Sequence, residues 1–316
     1  MAFKNLQGSG KIICIGECMV EFFKNNAETW KRGFAGDTLN VAWAMRAILP
    51  KSIPIEYITR VGSDYISDEM IEFMKQSGLS TSHIFRDLDR TVGLYCISAD
   101  ENGERTFTYW RDNSAARKIG GNLAILKSQL NNGRLVYLSG ITAAVIGNTG
   151  RKNILTALEE AKKMGTIIAY DPNYRPSLWN DKNQMQIFTE KICALVDIML
   201  PTFNDEMEGF GDETYLSAIN RIRSWGPSEI ILKNGVEPTA IITPDKIDYL
   251  EVNKPKRALD TTGAGDSFNG TYLACRLLGK IPLESARAAQ AVSALVVQNK
   301  GALISQEKIK QFSSIE

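Results

Sequence analysis

The sequence predicts an α/β protein built on a mainly parallel sheet with helices on both faces. Three observations carry that expectation: short apolar runs rich in Ile and Val mark strands, longer stretches with a periodic apolar face mark helices, and the two kinds alternate along the chain. At 316 residues the chain can bury a sizeable core, as one large domain or two smaller ones, and length does not choose between them. No internal repeat, low-complexity tract or long linker interrupts the pattern.

Strands are expected at 11–16, 55–61, 135–139, 166–171, 197–200 and 229–233. Helices are expected at 37–49, with Asp37 as N-cap and Pro50 as the stop, and at 66–76, 149–164 and 182–196. A further apolar helix starts near Asp266. Sheets of this kind bind ligands at the carboxyl ends of their strands. Two stretches break the alternation. Segments 20–23 and 30–34 look like β structure, and 93–99 with 105–111 form a hairpin across Asp100-Glu101-Asn102-Gly103, where Asn-Gly is a strong turn signal. These pair either into a small sheet standing off the main one as a lid, with an apolar face to offer a second subunit, or into an edge extension of the main sheet.

Composition narrows the partners. The net charge is +1, from 37 basic and 36 acidic residues without a basic run, which points away from nucleic acid and membrane and toward a small ligand. The apolar stretch 12–15 is far shorter than a signal-peptide core or a spanning helix needs, so a soluble, cytoplasmic protein is expected. Five scattered cysteines (Cys14, Cys18, Cys96, Cys193, Cys275) include no CxxC pair and read as buried free thiols; the single histidine, His83, adds no metal pattern. Asn269-Gly270-Thr271 matches a glycosylation acceptor by chance, since it falls inside a helix.

The most informative segment is Asp260-Thr261-Thr262-Gly263-Ala264-Gly265-Asp266. Gly263 and Gly265 let backbone N–H groups turn outward at a helix start, where the helix dipole favours an anion, and Asp266 then stands where it can take a proton from an attacking hydroxyl. A glycine turn with a capping Asp uses the same residues. Gly36-Asp37-Thr38-Leu39-Asn40 places Asp37 and Asn40 in a first helical turn, as ligand contacts or as caps. In the strand 105–111, Phe107, Tyr109 and Arg111 share a face, and the facing strand offers Tyr95. Arg175 follows a strand in a loop stiffened by Pro172 and Pro176. Two guanidinium groups and two phenols suit a carboxylate ligand; a solvated strand with exposed charges is the alternative. Asp205 and Glu206 can hold water on a magnesium ion or simply decorate a helix start, and Lys233-Asn234-Gly235 suits a phosphate contact or a turn. Neither a P-loop nor a Rossmann fingerprint is present, so a nucleotide would bind another way.

The DTTGAGDSF segment and the AGDTLN region resemble the two signatures of the ribokinase-like (PfkB) family of carbohydrate kinases, and the similarity runs over nearly the entire chain. Gly16-Glu17-Cys18-Met19, Lys31-Arg32-Gly33-Phe34, Gly103-Glu104-Arg105-Thr106-Phe107, Tyr109-Trp110-Arg111, Tyr137-Leu138-Ser139-Gly140-Ile141 and Asn173-Tyr174-Arg175-Pro176 with Leu178-Trp179 are most similar to the 2-keto-3-deoxygluconate kinases within it. The resemblance implies a single ribokinase-like three-layer domain over 1–316, with a β lid from about 18–35 and 92–113. It implies ATP-dependent phosphorylation of the terminal hydroxyl of 2-keto-3-deoxygluconate with Mg²⁺, leaves room for a monovalent cation, and implies homo-oligomers joined through the lid. By the same matching Asp266 is the general base and the amides of Gly263, Ala264 and Gly265 form an anion hole. Gly36, Tyr95, Tyr109, Arg111 and Arg175 contact the sugar acid, while Lys233, Gly235 and Gln290 fall where the family contacts ATP. Ala35 departs from the family's usual second glycine, and the NxxE element reads Thr202-Phe203-Asn204-Asp205 with Glu206 next, which leaves the magnesium-ordering carboxylate open. A kinase for a neutral sugar such as fructose or ribose, and a catalytically silent sugar-acid sensor, are the rival readings; the paired arginines and the retained Asp266 weigh against them.

Overall fold

Each strand of the main sheet divides its side chains between two cores. In the computed structural model, which describes residues 8–24, 29–99, 105–252 and 258–313, eight strands form this sheet. They are β1 (Lys11–Ile15), β4 (Ile55–Ile58), β9 (Gly133–Ser139), β10 (Ile167–Asp171), β11 (Ile198–Met199), β12 (Glu229–Asn234), β13 (Glu237–Ile242) and β14 (Ile247–Leu250), side by side as β14-β13-β12-β11-β10-β9-β1-β4. From β4 to β12 all pairings are parallel, and β13 and β14 add an antiparallel edge.

Successive side chains of a strand point to opposite faces, so Ile13, Ile15, Val136, Leu138, Ile168 and Ile230 enter one core while Ile12, Cys14, Leu135, Tyr137, Ile167 and Ile231 enter the other. Covering both faces is what makes these strands apolar throughout. Helices α3 (Leu123–Leu130), α4 (Gly140–Val145), α5 (Gly147–Lys163), α6 (Lys182–Cys193), α7 (Phe203–Phe210) and α8 (Tyr215–Trp225) close the first core. Helices α1 (Asp37–Ile48), α2 (Tyr65–Gln76), α9 (Ala264–Leu277) and α10 (Pro282–Val296) close the second, with α11 (Gln306–Ser313) packed beside α1 and α10. The three-layer fold expected from the sequence is present.

Local details differ from the sequence reading. The N-cap of α1 is Gly36, and Asp37 is its first helical residue, which turns the carboxylate toward the sheet edge instead of onto its own backbone. The run 55–61 is cut at Thr59: β4 stays in the main sheet, while β5 (Arg60–Val61) pairs with β6 (Phe85–Arg86). The helix expected at 182–196 ends at Cys193.

A second sheet consists of β2 (Met19–Lys24), β3 (Trp30–Ala35), β7 (Gly93–Ala99) and β8 (Arg105–Trp110), in the order β3-β2-β7-β8. Its strands pair only with one another among the described residues, so it is a separate sheet and not an edge extension. The β7–β8 hairpin has Tyr95 opposite Tyr109; its expected Asp100-Glu101-Asn102-Gly103 turn lies outside the described residues. Met19, Ala35, Tyr95 and Ile97 from this sheet form a small core with Ala302. All five cysteines are free, four of them buried and Cys96 half-buried. Among the described residues no helix is long and apolar enough to cross a membrane.

Helix α9 is fixed along its length. Glu229 of β12, fully buried, accepts hydrogen bonds from Arg276 at 3.0 and 2.9 Å and from the Tyr272 hydroxyl at 2.6 Å. Against α1, Gly270 is so close that a Cβ would lie 2.5 Å from the Val41 carbonyl oxygen and 2.7 Å from Ala44 Cβ. This close crossing brings the starts of α1 and α9 together at one end of the sheet. Gly270→Val is therefore expected to destabilise the fold by about 1–3 kcal/mol through overpacking, measured by reversible thermal or denaturant unfolding; an unchanged midpoint would contradict the tight crossing.

Candidate active site

Polar residues gather at the carboxyl end of the sheet. Glu17 follows β1, Ser139 ends β9, Asp171 ends β10, Asp205 lies in α7 just after β11, and Lys233 is the penultimate residue of β12. The starts of α1 and α9 face them with Asp37, Asn40 and Asp266.

The turn before α9 is built by its own side chains. Asp260 accepts the Thr262 N–H at 2.9 Å through Oδ1 and the Gly301 N–H at 2.6 Å through Oδ2. Gly263, the N-cap, has φ 73°, and a Cβ there would lie 2.6 Å from the Ala302 carbonyl oxygen, so conformation and space both require glycine. Gly265 is exposed, with nothing within 4 Å of where its Cβ would be. The Ala264 N–H donates to the Thr261 carbonyl at 3.2 Å, which commits it to closing the turn.

Asp266 is half-buried, and its Oδ2 accepts a hydrogen bond from Asn40 Nδ2 at 2.8 Å. Burial, then the nearby carboxylates Asp37 and Asp171, push its pKa up to about 7 against the pull of Asn40 and Lys233. Asp37 accepts from the Ser139 hydroxyl and from Asn173 Nδ2 at 3.3 Å; burial raises its pKa while Arg111 draws it back. Gly36 has extended backbone, and its reason is space: a Cβ would sit 2.2 Å from the Glu17 carbonyl oxygen.

Four of the expected sugar-acid residues, Tyr95, Tyr109, Arg111 and Arg175, lie near one another. The Tyr95 and Tyr109 rings are 5.7 Å apart, and the Arg111 guanidinium is 5.7 Å from the Tyr109 centroid. Burial raises the Tyr109 pKa, and the charges of Arg111 and Arg175 both pull it down, so both guanidinium groups reach that phenol electrostatically. Their states differ. Arg111 is buried and ion-paired with Glu17, and the Tyr95 hydroxyl donates to Glu21 at 2.6 Å. The Arg175 side chain is 49% exposed, held by the Tyr174 carbonyl at 2.6 Å and by Asp205 at 3.5 Å.

The magnesium candidates separate. Asp205 is partly exposed, has its pKa raised to about 6 by burial, and feels Arg175, Asp171 and Lys233. Glu206 has no exposed surface and pairs with Arg221 at 2.6 Å, beside Asp212, with Arg221 4.0 Å from the Phe210 centroid and 4.5 Å from that of Trp225. Glu206 is a structural anchor of α7 and is corrected out of the metal site. Among the described residues no group of three His, Cys, Asp or Glu side chains is placed to hold a metal. Of the expected nucleotide residues, Gly235 (φ 56°) turns β12 into β13 in open space, and Gln290 bonds Thr239 and the Leu250 carbonyl at 3.3 and 3.4 Å. Lys233 is buried, its ammonium on Asp171 and Asn269.

Sequence reasoning did not single out Asp171, Asn269, Glu17 or Ser139 as site residues. The signal for Asp171 was a carboxylate closing an otherwise apolar strand.

Known proteins share this chain's sequence pattern and fold. Residues 9–309 match the pfkB family carbohydrate kinases. The chain is 35% identical over 305 residues to 2-dehydro-3-deoxygluconokinase of Escherichia coli K12, covering 95% of this chain and 98% of that one. It is 34% identical over 311 residues to the 2-dehydro-3-deoxygluconokinase of Haemophilus influenzae, covering 96% and 98%. A crystal structure from E. coli described as ribokinase II, in complex with ATP and Mg²⁺, superposes with a TM-score of 0.84 at 23% identity over 96% of this chain and 99% of that one.

Replacing Arg221 tests the anchoring of α7. Arg221→Met leaves Glu206 and Asp212 buried without their cation and is expected to cost about 3 kcal/mol of stability. Burial holds Glu206 up at about 7 even with the arginine in place, and its removal takes away the pull that lowers it, so the variant's added loss grows as pH rises through that value, which melting curves at roughly pH 6 and pH 8 would show. Equal melting temperatures for variant and parent would contradict the anchor.

Proposed function

This chain belongs to the pfkB family of carbohydrate kinases, and on that premise we propose that it transfers the γ-phosphoryl group of ATP to the terminal hydroxyl of 2-keto-3-deoxygluconate, also called 2-dehydro-3-deoxygluconate. The observation that carries the reading is Asp266: a half-buried carboxylate, held by Asn40 and raised to about 7, at the helix start beside an open glycine turn. A carboxylate with a pKa near the working pH is suited to accept and hold a proton in the transition state. The substrate oxygen attacks the γ-phosphorus, the bond from that phosphorus to the β–γ bridging oxygen breaks, ADP leaves, and the hydroxyl proton passes to Asp266. The Gly263 and Gly265 amides and the positive end of α9 favour the charge on the transferring group, whereas the Ala264 amide expected to join them is taken up by the Thr261 carbonyl.

Arg111, Arg175 and Tyr109 support a sugar acid over a neutral sugar. Arg111 is paired with Glu17, whereas Arg175 is the more exposed of the two and reaches Asp205 only at 3.5 Å, which leaves its guanidinium accessible to a substrate carboxylate. The donor set suits Mg²⁺ carried by the triphosphate, with Asp205 the carboxylate able to hold a water of its shell; the ion, when bound, neutralises phosphate charge. The small sheet covers the sugar side as a lid. Its outer face exposes Trp30 (45%) and Trp110 (58%), which supports pairing of two copies through it.

Asp266→Asn is expected to lower kcat by about 10²- to 10⁴-fold with little change in sugar-acid affinity, and wild-type turnover should rise with pH through about 7 as the base deprotonates. Near-normal turnover in the variant would remove the proposed base. Arg175→Ala is expected to lower kcat/KM for the sugar acid by roughly 10- to 100-fold while barely affecting a neutral hexose, in an ADP-release assay across both classes. Equal losses would exclude the clamp.

A further inference from the structure

Asp171 takes no part in the steps above, yet it is 4% exposed and fully engaged. Its Oδ2 accepts from Lys233 Nζ at 3.1 Å and from Asn269 Nδ2 at 2.6 Å, and its Oδ1 accepts the Asn173 N–H at 2.9 Å. Lys233 Nζ also donates to Asn269 Oδ1 at 2.8 Å, closing a three-membered ring of contacts. Asn269 lies three residues beyond Asp266 on α9, so the two side chains share the helix face turned to the sheet.

We propose that Lys233, Asp171 and Asn269 form a buried charge junction that locks the first turn of α9, and with it Asp266, onto the ends of β10 and β12. On this reading, which rests on Asp266 as the base, Lys233 is a positioning residue for phosphoryl transfer and not a contact to ATP. A buried ammonium already paired with a carboxylate and an amide oxygen has little capacity for phosphate, and drawing it away would leave Asp171 buried without its cation. The groups acting on Asp266 are Asp37 and Asn40 from α1, Tyr137 from β9, Asp171 from β10 and Lys233 from β12, with Arg111 acting on Asp37. Within that set Lys233 is the cation offsetting the crowded carboxylates.

The test uses the full chain with Lys233→Met and Asp171→Asn. Carboxyl ¹³C NMR titration reads the Asp266 midpoint without any sugar, so it stands even if 2-keto-3-deoxygluconate is not the substrate; failure of the wild-type chain to phosphorylate that sugar would overturn the functional reading alone. The junction requires midpoints moving in opposite directions, up by about one pH unit in Lys233→Met and down by a similar amount in Asp171→Asn. In steady-state assays Lys233→Met should lower kcat by about 10- to 100-fold with KM for ATP changed less than about threefold. Should Lys233→Met fail to fold, the Asp171→Asn midpoint decides by itself. A midpoint unmoved in the variants, or a KM for ATP raised about tenfold at constant kcat, would overturn the proposal.

Discussion

Three carboxylates, Asp37, Asp171 and Asp266, crowd the carboxyl edge of one sheet, and the surrounding structure is organised to tolerate them. Like charges in a partly dry place raise one another's pKa values unless donors and cations are supplied. Asp37 is met by Ser139 and Asn173, Asp171 by Lys233 and Asn269, and Asp266 by Asn40. Most donors go to the first two. Asp266, with Asn40 as its one side-chain donor, is pushed up to about 7 by burial and then by Asp37, which is the property a base needs.

The backbone serves this arrangement at a few tight places. Gly270 allows α1 and α9 to cross closely, Gly36 lets the start of α1 lie against the Glu17 carbonyl, and Gly263 fits under the Ala302 carbonyl. Each is a matter of clearance, and together they set how far Asn40 stands from Asp266. The Glu229–Arg276–Tyr272 cluster holds the other half of α9, so the helix start is not free to drift.

Much of this was legible in the sequence. The apolar strands, the glycine turn, Asp266 and the arginines announce themselves through period, composition and position after a strand, and the family resemblance tied them together. What escaped is set by spatial order and helix rotation. Asp171 and Lys233 end strands separated by β11, and Asn269 reaches them from a helix nearly forty residues downstream of Lys233 in the chain, so no local pattern marks their meeting. Asp205 and Glu206 are neighbours in sequence, but one helical step turns the first toward Arg175 and the second into Arg221. Asp37 looked like a cap because Asp often is one; the cap is the glycine before it.

The short stretch of Gly301 and Ala302 serves as a wall shared by two compartments. The Gly301 amide is gripped by Asp260 beneath the glycine turn and the Ala302 carbonyl roofs Gly263, while the Ala302 side chain is packed among Met19, Ala35, Tyr95 and Ile97 of the small sheet. The turn before α9 and the small sheet thus rest on the same two residues. Thermodynamic reciprocity then fixes the form of any communication: whatever free energy acceptor occupancy contributes to grip on the donor, donor occupancy returns in equal amount to grip on the acceptor.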